Sequence, residues 1–422
     1  MRIFEVSDRK SRRDFIRFPK LLYKRDPYWV CPLDIDTETT FNPSLNPLFN
    51  EGNAHRWILK DEKNNLIGRI AAFHSQSYIK SNSRPIGGIG WFECINDQGA
   101  AKLLFDTAKE WLQQEGMEAM DGPINFGETD TNWGLLVAGF THPGYGMTYN
   151  FPYYRELFEN YGFKTYYEQY SYHLDVTKEF PDRFWKIADW IMRKPDFRFE
   201  HVRFSEKEKY LHDMVKIYNE AWSEFKENFI PLNPYEVLKT FKKAKPVLNE
   251  ELIWFVYYKD EPVAFYIMLP DINMILKHLN GKIHFINILR FLYYKNFHAI
   301  KRVRAVIAGV VPKYQGTGIE SAIFKKLEAV FTKNPWWTEI ELSWVGDYNP
   351  KMRAVYEAVG GKLAKKHITF RYLFDPEENF ERFMPESLKN YDKMKLKSFQ
   401  TEVAPDSGAI RKRYNYLKYK NN

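Results

Sequence analysis

One order of elements is written twice along this chain, and that repeat restricts the fold more than any other feature. Residues 57–73 and 252–269 each read as two apolar runs around a charged turn. The turns are Asp61-Glu62-Lys63-Asn64-Asn65 and Lys259-Asp260-Glu261. Each pair predicts a hairpin. An amphipathic helix follows in each half, over 100–112 and 319–331. In the second, Ile319, Ala322, Ile323, Leu327, Val330 and Phe331 share one face. Each half then closes with a helix, a glycine (Gly162 or Gly360) and a strand, over 166–174 and 368–374. A glycine there suits a left-handed helix cap. Strands alternating with helices predict an α/β (α+β) fold with a mixed sheet in each half.

A length of 422 residues suits two cores better than one. The boundary is expected near 175–180, giving regions 1–176 and 177–376 and a basic tail, 377–422. Residues 181–250 add two or three helices, over 184–192 and 207–225 among them. Two cysteines, Cys31 and Cys94, exclude a disulfide framework and a cysteine metal site. No histidine pair has metal-ligand spacing, so no metal is expected. The first residues carry no apolar signal core, and no run approaches the roughly 20 residues that span a bilayer. The expected location is the cytoplasm, peripheral to the inner membrane face. A net charge of +8 favours an anionic partner: a phosphopantetheine carrier, an anionic membrane surface or a nucleic acid.

The β-branched run 303–311 leads into Pro312-Lys313-Tyr314-Gln315-Gly316-Thr317-Gly318-Ile319. A strand feeding a glycine turn at a helix start aims free N–H groups and the positive helix end at an anion. The pattern is neither a dinucleotide fingerprint nor a P-loop.

It resembles the acyl-CoA pyrophosphate loop of the GNAT N-acetyltransferase superfamily, Gln/Arg-x-x-Gly-x-Gly/Ala. Gln315 and Gly318 match, and Glu320 stands where the last glycine or alanine belongs. Asn349 and Tyr356 ahead of Gly360 extend the resemblance. It implies two tandem GNAT-like acyl-CoA N-acyltransferase domains, each with a mixed, mostly antiparallel sheet flanked by helices. It implies that Val310, Val311, Gln315, Gly316, Thr317, Gly318, Ile319 and Asn349 hold the donor, and that Tyr356 protonates the departing thiolate. The whole chain resembles a bacterial tandem GNAT-like family through Gly122-Pro123-Ile124-Asn125-Phe126-Gly127-Glu128-Thr129-Asp130-Thr131-Asn132-Trp133-Gly134. That family is loosely similar to ceramide synthase-type N-acyltransferases.

The first half lacks a counterpart of Gln315-Gly316-Thr317-Gly318 and carries Phe158 where Tyr356 would stand. Phenylalanine donates no proton, so the first half reads as a degenerate copy that supplies acceptor contacts. Glu128 and Asp130 are candidate bases, since neighbouring carboxylates shift each other's pKa. Asn125, Asn132, Trp133, Asp271 and Asn273 are candidate acceptor contacts. The segment 282–302 is apolar, aromatic and basic, a composition that suits a membrane surface, an acyl-chain cover or a helix packed on its own domain.

The expected activity is transfer of an acyl group from acyl-CoA or an acyl carrier protein to an amine, a lipid amine included. Two other readings stay open. One is an aminoacyl-tRNA-dependent, peptidyltransferase-like enzyme, the only case that calls for nucleic acid. The other is a non-catalytic binding module on the same fold.

Overall fold

The computed structural model describes residues 1–80, 82, 84–127, 131–223 and 231–385. The first half runs β1 (Arg2–Glu5), α1 (Arg9–Leu22), α2 (Asp34–Thr40), β2 (Gly52–Lys60), β3 (Leu66–Ser75), α3 (Gln76–Lys80) and β4 (Ile86–Cys94). It continues with α4 (Gln98–Gln114), β5 (Ala119–Gly122), β6 (Leu135–Ala138), α5 (Tyr154–Tyr161) and β7 (Lys164–Asp175). The second half runs α6 (Asp182–Met192), β8 (Phe197–His201), α7 (Lys207–Trp222), α8 (Pro234–Ala244), β9 (Ile253–Tyr258), β10 (Glu261–Pro270), α9 (Asn273–Leu276) and α10 (Phe285–Asn296). It ends with β11 (Arg302–Val310), α11 (Ile319–Lys333), β12 (Glu339–Gly346), α12 (Pro350–Ala358) and β13 (Lys362–Leu373).

Local chemistry sets several of these boundaries. Asp97 caps α4 by accepting from Ala100 N at 2.7 Å. Gly162 ends α5 in the left-handed region at φ 112°. Strand β8 lies inside a stretch that reads as helical from sequence, because its five residues, Phe-Arg-Phe-Glu-His, are too few to show a period.

All the strands join one sheet, in the order β1-β2-β3-β4-β5-β13-β7-β12-β11-β10-β9-β8, with β6 paired to β13. The sequence predicts a sheet in each half, and the finding is one sheet with two matching wings. From the two edges inward, β1 to β5 mirror β8 to β12. Each wing has one parallel pair, β4 with β5 and β11 with β12. The wings then exchange strands. β13 pairs with β5, β7 pairs with β12, and β7 and β13 lie antiparallel at the centre. Tyr170, Tyr172 and Leu174 of β7 therefore belong to the core under the second wing, while Ile368 and Phe370 of β13 complete the core under the first. Neither wing buries its own apolar face alone.

Candidate functional site

Strands β11 and β12 pair only from Arg302–Glu339 to Ala305–Leu342. Beyond that point β12 bulges and stays with β7, with Val345 opposite Tyr170 and Gly346 opposite Gln169. β11 stays with β10 out to Val310. The two strands splay apart, and the inner edge of residues 306–310 has no strand beside it. Val306, Ile307, Ala308 and Val310 are accordingly only half-buried in mid-sheet. A free strand edge offers main-chain donors and acceptors to an extended ligand.

The predicted phosphate turn sits at the open end of this splay. Val311 is buried, Gln315 is exposed and donates from Nε2 to Val310 O at 3.2 Å, and Thr317 Oγ1 donates to Tyr314 O at 2.7 Å. Gly316 and Gly318 have φ of 71° and 91°, the left-handed region that favours glycine. A Cβ on Gly316 would meet nothing within 4 Å, whereas one on Gly318 would press on Ile187 of α6. Gly318 is the N-cap of α11 with no side-chain cap, and Ile319 is buried beneath it. The first-turn N–H groups of Ile319, Glu320 and Ser321 precede the first helical hydrogen bond, Ala322 N to Gly318 O. Glu320 shares that turn. Burial raises its carboxyl pKa, and contact with its own main-chain N–H partly offsets the rise.

Tyr356 of α12 is 5% exposed and belongs to the same core cluster as Ile319 and Tyr266. Its ring stands edge-on to Tyr172 at 5.5 Å. Burial, and then Tyr172, raise its pKa, so it holds its proton at neutral pH. Tyr266 of β10, in register with Ala308, feels both Tyr356 and Glu320 in its electrostatics. Its hydroxyl is buried with no hydrogen-bond partner among the described residues. Phosphate turn, Glu320 and Tyr356 thus converge around one side of the splay. Asn349 does local work: it caps α12 by accepting from Met352 N at 3.1 Å.

The first wing differs at the equivalent place. β4 and β5 pair from Ile86–Ala119 to Gly88–Asp121. The chain then turns through the cis Gly122–Pro123 bond, and Ile124 N donates to Ile89 O at 2.9 Å. Gly88 and Gly90 leave the room that the Ile124 side chain and carbonyl use. The first splay is filled by its own chain. Phe158 is fully buried against Phe92, Phe105 and Phe163.

Phe126 stays with the first wing, against Phe49 and Phe73, whereas Trp133 reaches the second. Trp133 is buried with its ring 5.5 Å from Trp344, at the bulge where β12 leaves β11, and 4.7 Å from His367. Asn132, at φ 53°, donates its N–H to Gly146 O at 2.8 Å. Asn125 Nδ2 donates to Thr131 Oγ1 at 3.0 Å. Glu128 and Asp130 lie outside the described residues. Gln169 and His367, paired in register on β7 and β13, are fully buried below Gly134.

Asp271 and Asn273 occupy a different place. Asp271 is fully buried, accepts from Arg302 Nε at 2.7 Å and from Tyr145 N at 3.0 Å. Asn273 donates to Pro143 O at 3.1 Å. Beside them Arg304 pairs with Glu341 at 2.8 Å, and Lys365 donates to Gly139 O at 2.9 Å. Burial lowers the Lys365 pKa to about 8. The group holds the first wing's 139–147 segment down on the second wing, next to the closed end of the splay.

Two wings, each with a splayed parallel pair and a helix start at the open end of one splay, match one known architecture. The chain has the tandem GNAT fold. It is similar to a solved tandem GNAT protein from the clavulanic acid biosynthesis pathway, at TM-score 0.53 and 9% identity, covering 89% of this chain and 99% of that one. Two curated relatives span most of its length. Protein YghO from Escherichia coli is 24% identical over 85% of this chain and 92% of its own. Bacterial ceramide synthase from Caulobacter vibrioides is 24% identical over 86% of this chain and 95% of its own. No family model matches the chain.

Trp344, Tyr266, Gln169 and His367 are absent from the candidates drawn from sequence. Each sits in an ordinary-looking strand; Trp344 and Tyr266 belong to the second wing's own β12 and β10, and the exchange of β7 and β13 brings Gln169 and His367 beside them.

Proposed function

We propose that this protein is an acyltransferase that uses only its second wing to hold an acyl thioester. The observation that carries the reading is the asymmetry of the two splays, one closed by Ile124 and one open beside a phosphate turn. The donor's pantetheine arm lies along residues 306–310, and its phosphate meets the N–H groups from Gly316 to Ser321. The main-chain edge of β11 polarises the carbonyl. The amine approaches from the side walled by Trp133 and Trp344. A carboxylate of the 125–133 segment, Glu128 or Asp130, takes the amine proton. Nitrogen bonds to the carbonyl carbon, the C–S bond breaks, and Tyr356 donates to the departing thiolate.

Ceramide is the N-acyl amide of a lipid amine, so the relative named a ceramide synthase supports a lipid amine as acceptor. Glu320 narrows the donor. A carboxylate in the first turn of α11 competes with a pyrophosphate for the same N–H groups, which favours a donor with less phosphate, such as an acyl carrier protein, over CoA. Incubating the protein with acyl-CoA or acyl carrier protein and a long-chain amine, and detecting amide by mass, tests both choices. Amide from the carrier donor alone supports the narrower reading. Amide from neither donor overturns the proposal.

A further inference from the structure

Helix α10 belongs to the insertion between β10 and β11, and the acyltransferase reading leaves it without a task. At 3.6 residues per turn its exposed apolar side chains cover about half the circumference. Phe285, Ile286, Leu289, Leu292, Tyr293 and Phe297 are all exposed, from 47% at Leu292 to 74% at Phe285. The opposite face is anchored. Asn287 is buried and donates to Leu279 O at 2.9 Å and Lys282 O at 2.8 Å, while Phe291 packs on the Val30, Leu276 and Leu279 cluster. An apolar face this continuous on a firmly docked helix is not a fraying segment, and it marks an interaction site.

Charge identifies the partner. Residues 272–319 contain no Asp or Glu. Lys277, Lys282, Arg290, Lys295 and Lys301 are all exposed. Arg290 and Lys295 flank the apolar arc on its two sides, where long basic stems reach headgroups while the arc enters the acyl boundary. Across the contact, Asp34 lies beside Gly281 and is already paired with Lys20 at 2.6 Å, and Asp36 accepts from Tyr145 Oη at 3.3 Å. No helix among the described residues is long and apolar enough to cross a membrane, and α10 has the composition to lie on one.

We propose that α10 seats this protein on an anionic bilayer, lying flat in the interface with its exposed face toward the acyl chains. The seat has a consequence for the site, which rests on the acyltransferase reading while the seat itself does not. Phe291 and Tyr145 pack against the same Val30, Leu276 and Leu279 cluster, and Tyr145 O accepts from Arg304, the neighbour of the last paired residue before the splay, Ala305. A bilayer under α10 therefore lies beside the closed end of the splay, and on that reading a lipid amine enters the site from it.

Flotation of the full chain with vesicles tests the seat. The expected result is binding to equal parts phosphatidylglycerol and phosphatidylcholine, little binding to phosphatidylcholine alone, and weakening by salt. Phe285→Ser/Leu289→Ser/Leu292→Ser, and separately Arg290→Glu/Lys295→Glu, are expected to cut partitioning about tenfold or more. All these side chains are exposed, so melting temperatures should hold, and transfer from a water-soluble donor to a short amine should stay at the native rate. No flotation, equal flotation on phosphatidylcholine alone, or flotation untouched by either variant overturns the proposal. So does a concentration-dependent dimer that the serine variant dissolves in a protein that binds no vesicles.

Discussion

Ile124 donates its main-chain N–H to the carbonyl of Ile89 at 2.9 Å, and so places the chain itself where the first wing's strands part. The corresponding edge of β11 is left open. The two wings thus differ: one seals its splay and lends Trp133, and the other keeps its splay open beside the Gln315–Gly318 turn.

The first prediction is one donor per chain. Gly318→Val forces a β-branched residue into φ 91° and against Ile187. It should weaken donor binding at least tenfold, as read by calorimetric titration. Two equal donor sites, or unchanged affinity in the variant, would place the donor elsewhere.

Glu320 gives a pH dependence with a definite sign. Its pKa is raised above 4.5 by burial, so the neutral form is favoured and the charge appears as pH rises through the raised value. A charge there repels a phosphate. Donor affinity should fall with rising pH across that window, and Glu320→Gln should flatten the profile and bind more tightly at neutral pH. Tighter binding by the native carboxylate than by the glutamine would mean that Glu320 assists the donor.

Much of the wing pattern was legible in the sequence, because hairpins, caps and amphipathic helices are local. Gly162 and Gly318 mark boundaries that the structure keeps. The exchange of strands was not legible. Residues 166–174 read as a strand, but nothing in Tyr170 or Tyr172 names β12 as the partner, since pairing is set by what the other half leaves uncovered. The same limit hid Gln169 and His367. Asn349, which the resemblance implies as a donor contact, also caps α12 through its side chain.

His367 predicts acid sensitivity. It is fully buried, and burial lowers its pKa from 6.5 to about 4. Between those values the unfolded chain binds a proton that the native one excludes. Its contribution is complete above pH 6.5 and is lost as pH falls toward 4, by about 3 kcal/mol. Urea midpoints at pH 7 and pH 4.5 should drop less for His367→Gln than for the native chain. Equal drops would mean that other groups set the acid limb.

Trp133 and Trp344 predict a split between substrates. Trp133→Phe and Trp344→Leu keep apolar bulk while removing the indole wall. Both should raise KM for the amine several-fold and leave donor affinity near the native value. A loss confined to donor binding would put the tryptophans on the other side of the reaction.

The central claim is that Tyr356 donates to a thiolate leaving from a donor held in the second splay. Free thiol and amide should be followed together, for the native chain and for Tyr356→Phe, with donor affinity measured in parallel. Native protein should release one thiol per amide. Tyr356→Phe should bind donor normally and run slower by about 10²-fold or more, within the range a positioned acid contributes. A native rate in Tyr356→Phe, or thiol release without amide formation, would contradict the account.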